Sequence, residues 1–301
     1  MDSSKESLAI NGNSGAKKIG AGILLSRLAG LLRESLLRSA LGLGPAADAF
    51  TAALRIPNLL QNLLGEGSLS SSFIPVYSKL LSEGKEKEAA NTAGAIASLL
   101  IAFTGVLTLL GIFFAKPIAK ILTPGFTSEK LDLTAELVKI TTAGICLLVL
   151  AAWCLGVLNS HRKFFLSYVA PVVWNAAQIM ILFIAINENW NPTKTAKAAA
   201  WGLLIGGIAQ LLFQFSGVVK LRTKIRFSFS WKNVHVRDIL KRFTPAILGR
   251  GVIQISGYLD LVLASLLVTG AVAALMLSLI HISEPTRPRL ISYAVFCLKK
   301  K

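Results

Sequence analysis

The chain is 301 residues long, 53% hydrophobic and only 16% charged, with a mean hydropathy of +0.62. Soluble domains carry about 25% charged residues, so the composition excludes an ordinary water-soluble domain and implies a polytopic membrane protein. The formal net charge of +17 does not point to nucleic acid, because the basic residues lie between hydrophobic runs and no basic face with interleaved aromatics forms.

The leader MDSSKESLAINGNSGAKK is polar, rich in Ser and Asn, and without a cleavable-signal pattern; it predicts a disordered cytosolic tail over residues 1–16. Residues 17–43 form the first membrane segment. At 1.5 Å per residue they reach roughly 40 Å, more than a hydrocarbon core of about 30 Å. Gly44-Pro45 ends it, and Pro45 suits the first turn of the next helix. Residues 46–81 are too long for one straight span, and Pro57 and Gly65-Glu66-Gly67 offer two places to bend or break.

Residues 92–115 carry no charge and are a transmembrane candidate on that ground alone. PIAKILTPGF then reads as a short interfacial turn of helix before a loop. Residues 140–160 are again charge-free, and residues 164–186 contain Pro171, Trp174, Asn175 and Gln178. Residues 198–219 contain Gly202, Gly206 and Gly207, small residues that let helices approach closely. Residues 220–242 form a basic cytoplasmic linker, and a seventh segment over 245–269 holds Arg250 and Asp260.

With the N-terminus in the cytoplasm, Lys17-Lys18, Lys79, Lys85, Lys87, Arg162-Lys163 and the 220–242 cluster all fall on the cytoplasmic side. That is the positive-inside pattern, and it predicts a multi-pass membrane protein with a cytoplasmic N-terminus and membrane lipid as its solvent. Cys146, Cys154 and Cys297 imply no disulfide framework. His161, His235 and His281 are scattered, and no nucleotide-binding glycine loop, metal-ligand spacing or nucleophile motif stands out. No enzyme activity, cofactor or metal is expected. From residue 276 the character changes, and LSLIHISEPTR resembles the translation of a sequencing adaptor joined to a truncated reading frame. Residues 276–301 are read as a non-native tail that carries no site.

The informative stretch is 23–73. It is apolar enough for a bilayer yet carries Arg27, Arg33, Glu34, Arg38, Asp48, Arg55 and Glu66. One Arg near the membrane centre costs roughly 2.5–3.5 kcal/mol. Three in one helix must face protein or a water-filled cavity, which makes the stretch a functional-site candidate. Arg27 and Arg33 sit about 120° apart on an ideal helix, and a bend at Gly30 is expected to bring both to one cavity. Glu34 and Arg38, at i and i+4, can pair with each other. Asp48 lies in a helix first turn, where the dipole favours a carboxylate. Asn58 and Arg55 flank Pro57, where freed backbone groups need partners.

Ser26-Arg27, Gly30-x-x-Arg33, Ala47-Asp48-Ala49-Phe50, Arg55-Ile-Pro-Asn-Leu59 and Glu66-Gly-x-x-Ser70-x-x-Phe73 follow one another at a family's spacing, and Thr123-Pro-Gly-Phe126, Leu158-Asn159-Ser160, Ala170-Pro171 and Pro245-Ala-Ile-Leu248 continue it. Together they resemble the MurJ (MviN) lipid II flippase family of the multidrug/oligosaccharidyl-lipid/polysaccharide exporter superfamily. The resemblance implies an all-α polytopic transmembrane helix bundle. A first lobe of six helices would occupy 17–219, and the first helix of a second lobe 243–275. It also implies alternating-access movement of lipid II, the undecaprenyl-linked peptidoglycan precursor, across the bacterial cytoplasmic (inner) membrane.

On that resemblance Arg27, Arg33, Asp48, Arg55 and Glu66 are the substrate-binding candidates, with Glu34, Arg38, Asn58, Gln61 and Asn62 secondary. Asp48 is expected to gate or to pair with an arginine, and Glu66 to gate or to be a solvated charge at the cytosolic end. Arginine suits a pyrophosphate because its planar fork makes paired charge-assisted hydrogen bonds and keeps its charge. The family usually carries arginine after the Pro-Asn-Leu-Leu motif, where this chain has Gln61-Asn62. Asp260 resembles an acid near a cation site in some members, and Arg250 matches no family residue. The alternatives are an exporter of drugs or of other polyprenyl-linked oligosaccharides, and a non-transporting membrane scaffold.

Overall fold

Glycine and proline divide this apolar chain into its helices. The computed structural model describes residues 3–221, 225, 227–229 and 233–275. Within the helices, the side chains of residues 3–19, Glu66, Val252, Ile253, Ile255 and Ser256 are outside the description, as is the whole tail over 276–301. Among the described residues there is helix and no strand: α1 (Ser3–Leu41), α2 (Pro45–Ala53), α3 (Arg55–Leu64), α4 (Glu66–Ser82), α5 (Glu86–Phe113), α6 (Ala115–Leu122), α7 (Ser128–Ala143), α8 (Ile145–Ser160), α9 (Phe164–Asn187), α10 (Pro192–Lys220) and α11 (Val234–Ser265).

Pro45 opens α2 at its first turn, where its missing N–H costs nothing. The second segment then breaks twice. The first break falls at Leu54, ahead of Pro57. Pro57 has no N–H to offer the Ala53 carbonyl, and its ring crowds that turn. Thr141 Oγ1 fills the gap, donating to the Ala53 carbonyl at 3.3 Å from α7. Asn58, expected to serve a freed group here, is exposed instead. The second break is at Gly65, where a Cβ would overlap the Gln61 carbonyl oxygen; only glycine fits that turn.

Three expectations of boundary change. The first helix is continuous back to Ser3, through the leader predicted to be disordered. The 116–139 stretch is mostly helix, α6 then α7, and α7 runs into α8 with only Gly144 between them. The seventh segment likewise begins at Val234, with Pro245 inside it and the Asn233 side chain accepting from His235 N at 2.9 Å at its start. Most of the 233–242 stretch is therefore helix rather than linker.

Among the described residues, four helical stretches are long and apolar enough to cross a membrane: Glu86–Phe113, Ser128–Ser160, Phe164–Asn187 and Pro192–Lys220. The charged α1, the broken α2–α4 and α11 pack alongside them. α9 lies between α1 and α10, α8 touches α4, α5 and α10, and α11 leans on α3 and α4. This is the order of a six-segment lobe followed by one further helix. The interior is held by buried Trp153, Tyr77, Phe73 and Phe50, and Trp153 Nε1 donates to the Ala93 carbonyl at 3.1 Å. Phe103, Phe113, Ile121, Phe183 and Leu212 stand on the outside, where lipid rather than water makes such exposure favourable. Gly206 lets α10 meet α9 closely: a Cβ there would stand 2.9 Å from the Trp174 carbonyl.

Candidate functional site

α1, α2–α3, the α7–α8 junction and α9 enclose a cavity of about 290 Å³. Its charged and polar wall is Arg33, Glu34, Arg38, Arg55, Asn58 and Gln61, with Thr141 and Trp174 beside them. The wall thus carries three guanidinium groups and one carboxylate. Glu34 Oε1 accepts from Arg38 through Nη2 at 2.8 Å and Nε at 3.0 Å, the i,i+4 pair that the spacing predicts. Arg33 Nη2 reaches Glu34 Oε2 only at 3.4 Å. The Arg33 guanidinium stands 4.9 Å from the centroid of the Trp174 ring, and its Nε is buried without a partner among the described residues. Arg55 enters from α3 and is covered by α11: a Cβ on Gly257 would lie 3.3 Å from its Nη1, and Tyr258 donates its hydroxyl to the Arg55 carbonyl at 3.3 Å. A loosely held guanidinium in a partly dehydrated cavity, as Arg33 is, favours an anion, and its planar fork favours a phosphate or pyrophosphate.

Arg27 is not brought in. α1 runs unbroken through Gly30, so six residues of regular helix keep Arg27 about 120° away from Arg33, and it is exposed. Gly30 instead serves contact with α9, since a Cβ on it would lie 3.9 Å from Asn175 Nδ2.

Asp48 does not line the cavity either. It is fully buried, and its partner is a lysine rather than an arginine: Oδ2 accepts from Lys130 Nζ of α7 at 2.5 Å. The same oxygen accepts from Gly270 N at 2.7 Å, and Oδ1 accepts from Ala273 N at 2.9 Å. The carboxylate therefore caps not its own helix but the helical turn that starts after Gly270, where φ is +94° and glycine is needed. Arg38 Nη1 adds a longer contact to the Ala273 carbonyl at 3.4 Å. Lys130, Trp174 and Thr141 were not singled out as functional by their sequence positions. Only Trp174 had a signal, in the polar Asn175 and Gln178 that follow it within an apolar run.

Gln61 also faces a second, more open pocket of about 520 Å³ with Asn62, Gly67, Ser70, Asn159, Tyr168 and Arg250. Glu66 opens α4 nearby, but its side chain is outside the description. Asp260 is exposed on α11, and no cluster of three His, Cys, Asp or Glu able to hold a metal occurs among the described residues.

A sequence model of the family described as lipid II flippase MurJ matches residues 37–285. The chain belongs to the MurJ lipid II flippase family. The match extends past residue 276, where the sequence changes character. Probable lipid II flippases MurJ of Buchnera aphidicola and Rhizobium tropici are each 34% identical, over 83% and 85% of this chain and 49% of their own length. That of Bdellovibrio bacteriovorus is 33% identical over 93% of this chain and 56% of its own. The chain thus spans about half the length of the curated relatives it matches. A solved MurJ lipid II flippase in an inward closed conformation superposes with a TM-score of 0.67 at 28% identity, over 85% of this chain and 52% of that one. An inward-facing MATE-family multidrug resistance transporter of the MOP superfamily gives 0.66 at 19% identity over 86% of this chain and 58% of that one, which is a likeness of fold.

Proposed function

We propose that this chain forms the first half of a transporter that moves lipid II across a bacterial cytoplasmic membrane by alternating access. The observation that carries this reading is Arg33 in that cavity: its guanidinium reaches Glu34 only at 3.4 Å, and its Nε is buried with no partner among the described residues. The pyrophosphate of lipid II supplies the acceptor this guanidinium lacks. Arg33 is the principal contact, because Trp174 orients it and Glu34 holds it only loosely. Arg38, engaged by Glu34 and Ala273, is chiefly structural. Arg27 lies roughly 9 Å nearer the N-terminal end of α1; with the N-terminus cytoplasmic, it meets the headgroup before the cavity does.

Asp48 then acts as a gate rather than a substrate contact. It ties α2 and α7 to the backbone after α11, at the end opposite the basic loops, and its release would open that end. The test is a full-length protein carrying residues 1–275 as its first half, expressed in flippase-depleted cells. Restored wall synthesis is expected, and its loss with Arg33→Ala despite normal membrane insertion. Failure of the unaltered protein, or full activity of the alanine variant, counts against the reading.

A further inference from the structure

Arg250, which matches no residue of the family pattern, lines the second pocket. Arg250 is exposed on α11 and makes no ion pair with a described residue. It nevertheless has a defined seat: a Cβ on Gly67 would overlap its guanidinium carbon and both terminal nitrogens. The guanidinium therefore lies against the glycine of the α4 first turn, which has no side chain to displace it. Around it stand Gln61, Asn62, Ser70, Asn159 and Tyr168, all able to hydrogen-bond. Asn159 Oδ1 is buried with no partner among the described residues, and a buried unmet acceptor calls for a hydroxyl or N–H donor. The volume of about 520 Å³ lies within the ~300–1,000 Å³ of ordinary ligand sites.

Gln61 belongs to both pockets, so the two sites adjoin. Asn159 is in the last turn of α8 and Tyr168 near the start of α9, beside the turn that carries Arg162 and Lys163. The first cavity is lined instead by Trp174 and Leu148 from these two helices, farther from that turn.

We propose that Arg250, seated on Gly67, forms with Gln61, Asn62 and Asn159 a second oxyanion subsite. It takes an oxyanion flanked by hydroxyl or amide donors and adjoins the Arg33 cavity on the side of the α8–α9 turn. The proposal rests on the lipid II reading, in which the same chemistry has two sources: the pyrophosphate and the carboxylates of the stem peptide. A guanidinium serves either through the same fork.

The whole chain in lipid nanodiscs is tested with three probes: undecaprenyl pyrophosphate, lipid II, and lipid II with its peptide carboxylates amidated. Arg250→Gln and Gly67→Ala are expected to weaken lipid II binding about tenfold, with thermal midpoints unchanged; Gly67→Ala keeps the charge and removes only its seat. Arg250→Lys is expected to recover part of the loss, because it keeps the charge without the fork. Equal losses on all three probes assign the pyrophosphate. Loss confined to unmodified lipid II assigns the carboxylate. If both variants bind every probe like the parent while Arg33→Gln binds weakly, the Arg250 subsite is overturned and the lipid II reading stands. If the unaltered chain binds none of the probes above discs of phosphatidylglycerol alone, both are overturned.

Discussion

Trp174 lies beneath the Arg33 guanidinium at 4.9 Å while its own Nε1 donates to the Leu203 carbonyl at 3.3 Å. The indole is thus fixed by α10 and presents its face to the cation. A desolvated cation–π contact is worth about 2 kcal/mol. Trp174→Leu is therefore expected to weaken binding of undecaprenyl pyrophosphate about tenfold, and Trp174→Phe less. Equal affinity in the leucine variant, measured in nanodiscs, would deny Trp174 any role in positioning Arg33.

Asp48→Asn removes the charge that faces Lys130 in the protein interior. Breaking one side of a buried pair costs about 3–5 kcal/mol, because the other charge is stranded. A lower thermal midpoint in detergent is expected, with Lys130→Met in the same chain recovering part of it. If the double variant is no more stable than Asp48→Asn alone, the Asp48–Lys130 pair is not the cause.

Gly206 and Gly207 are neighbours with opposite tolerances. A Cβ on Gly206 meets the Trp174 carbonyl at 2.9 Å, and backbone cannot swing aside; on Gly207 the nearest atoms are Leu147 carbons at 3.7 Å. Gly206→Ala is expected to destabilise by about 1–3 kcal/mol through overpacking. Gly207→Ala is expected to be neutral or stabilising by up to about 1 kcal/mol, the helix-propensity gain. Thermal unfolding of the two variants side by side checks the contrast, and similar midpoints would argue against close α9–α10 contact at Gly206.

His161 closes α8 and lies in the turn before α9, where its Nε2 meets the Tyr77 hydroxyl at 3.1 Å. Partial burial holds its pKa below the ordinary 6.5, outweighing Glu86, which raises it, while Lys163 lowers it further. The folded state therefore prefers the neutral ring. Its contribution is fully present above about pH 6.5 and is lost as pH falls below that value toward the depressed folded pKa. Thermal midpoints measured between about pH 8 and about pH 5 should fall on the acid side, and less so in His161→Asn. An identical acid dependence in the two proteins would locate the titration elsewhere.

The legible parts of the structure were those written locally. Charge-free runs marked α5 and α8, the Glu34–Arg38 pair followed from a four-residue spacing, and Gly65 announced a break. The α7 helix was hidden by its own charges. Glu129, Lys130, Asp132, Glu136 and Lys139 read as a loop, whereas Lys130 turns inward to a carboxylate 82 residues earlier in the chain. Such a partner leaves no periodic trace. The same holds for Asp48, whose backbone partners lie more than 200 positions away, and for Arg27, whose exclusion depended on whether α1 bends at Gly30. The arginines of the cavity could be named from the sequence; what orients them came from α9, α10 and α11.

Thr141 has two acceptors for one proton. Its hydroxyl reaches the Ala53 carbonyl at 3.3 Å across to the α2–α3 break, and the Val138 carbonyl in its own helix at 3.4 Å. If α3 swings away from α7, the hydroxyl can turn to Val138 without being left bare, and the Ala53 carbonyl is released where water in the adjoining cavity can reach it. The proline break is thereby a pivot whose latch can be undone and remade at little cost, without dismantling either helix.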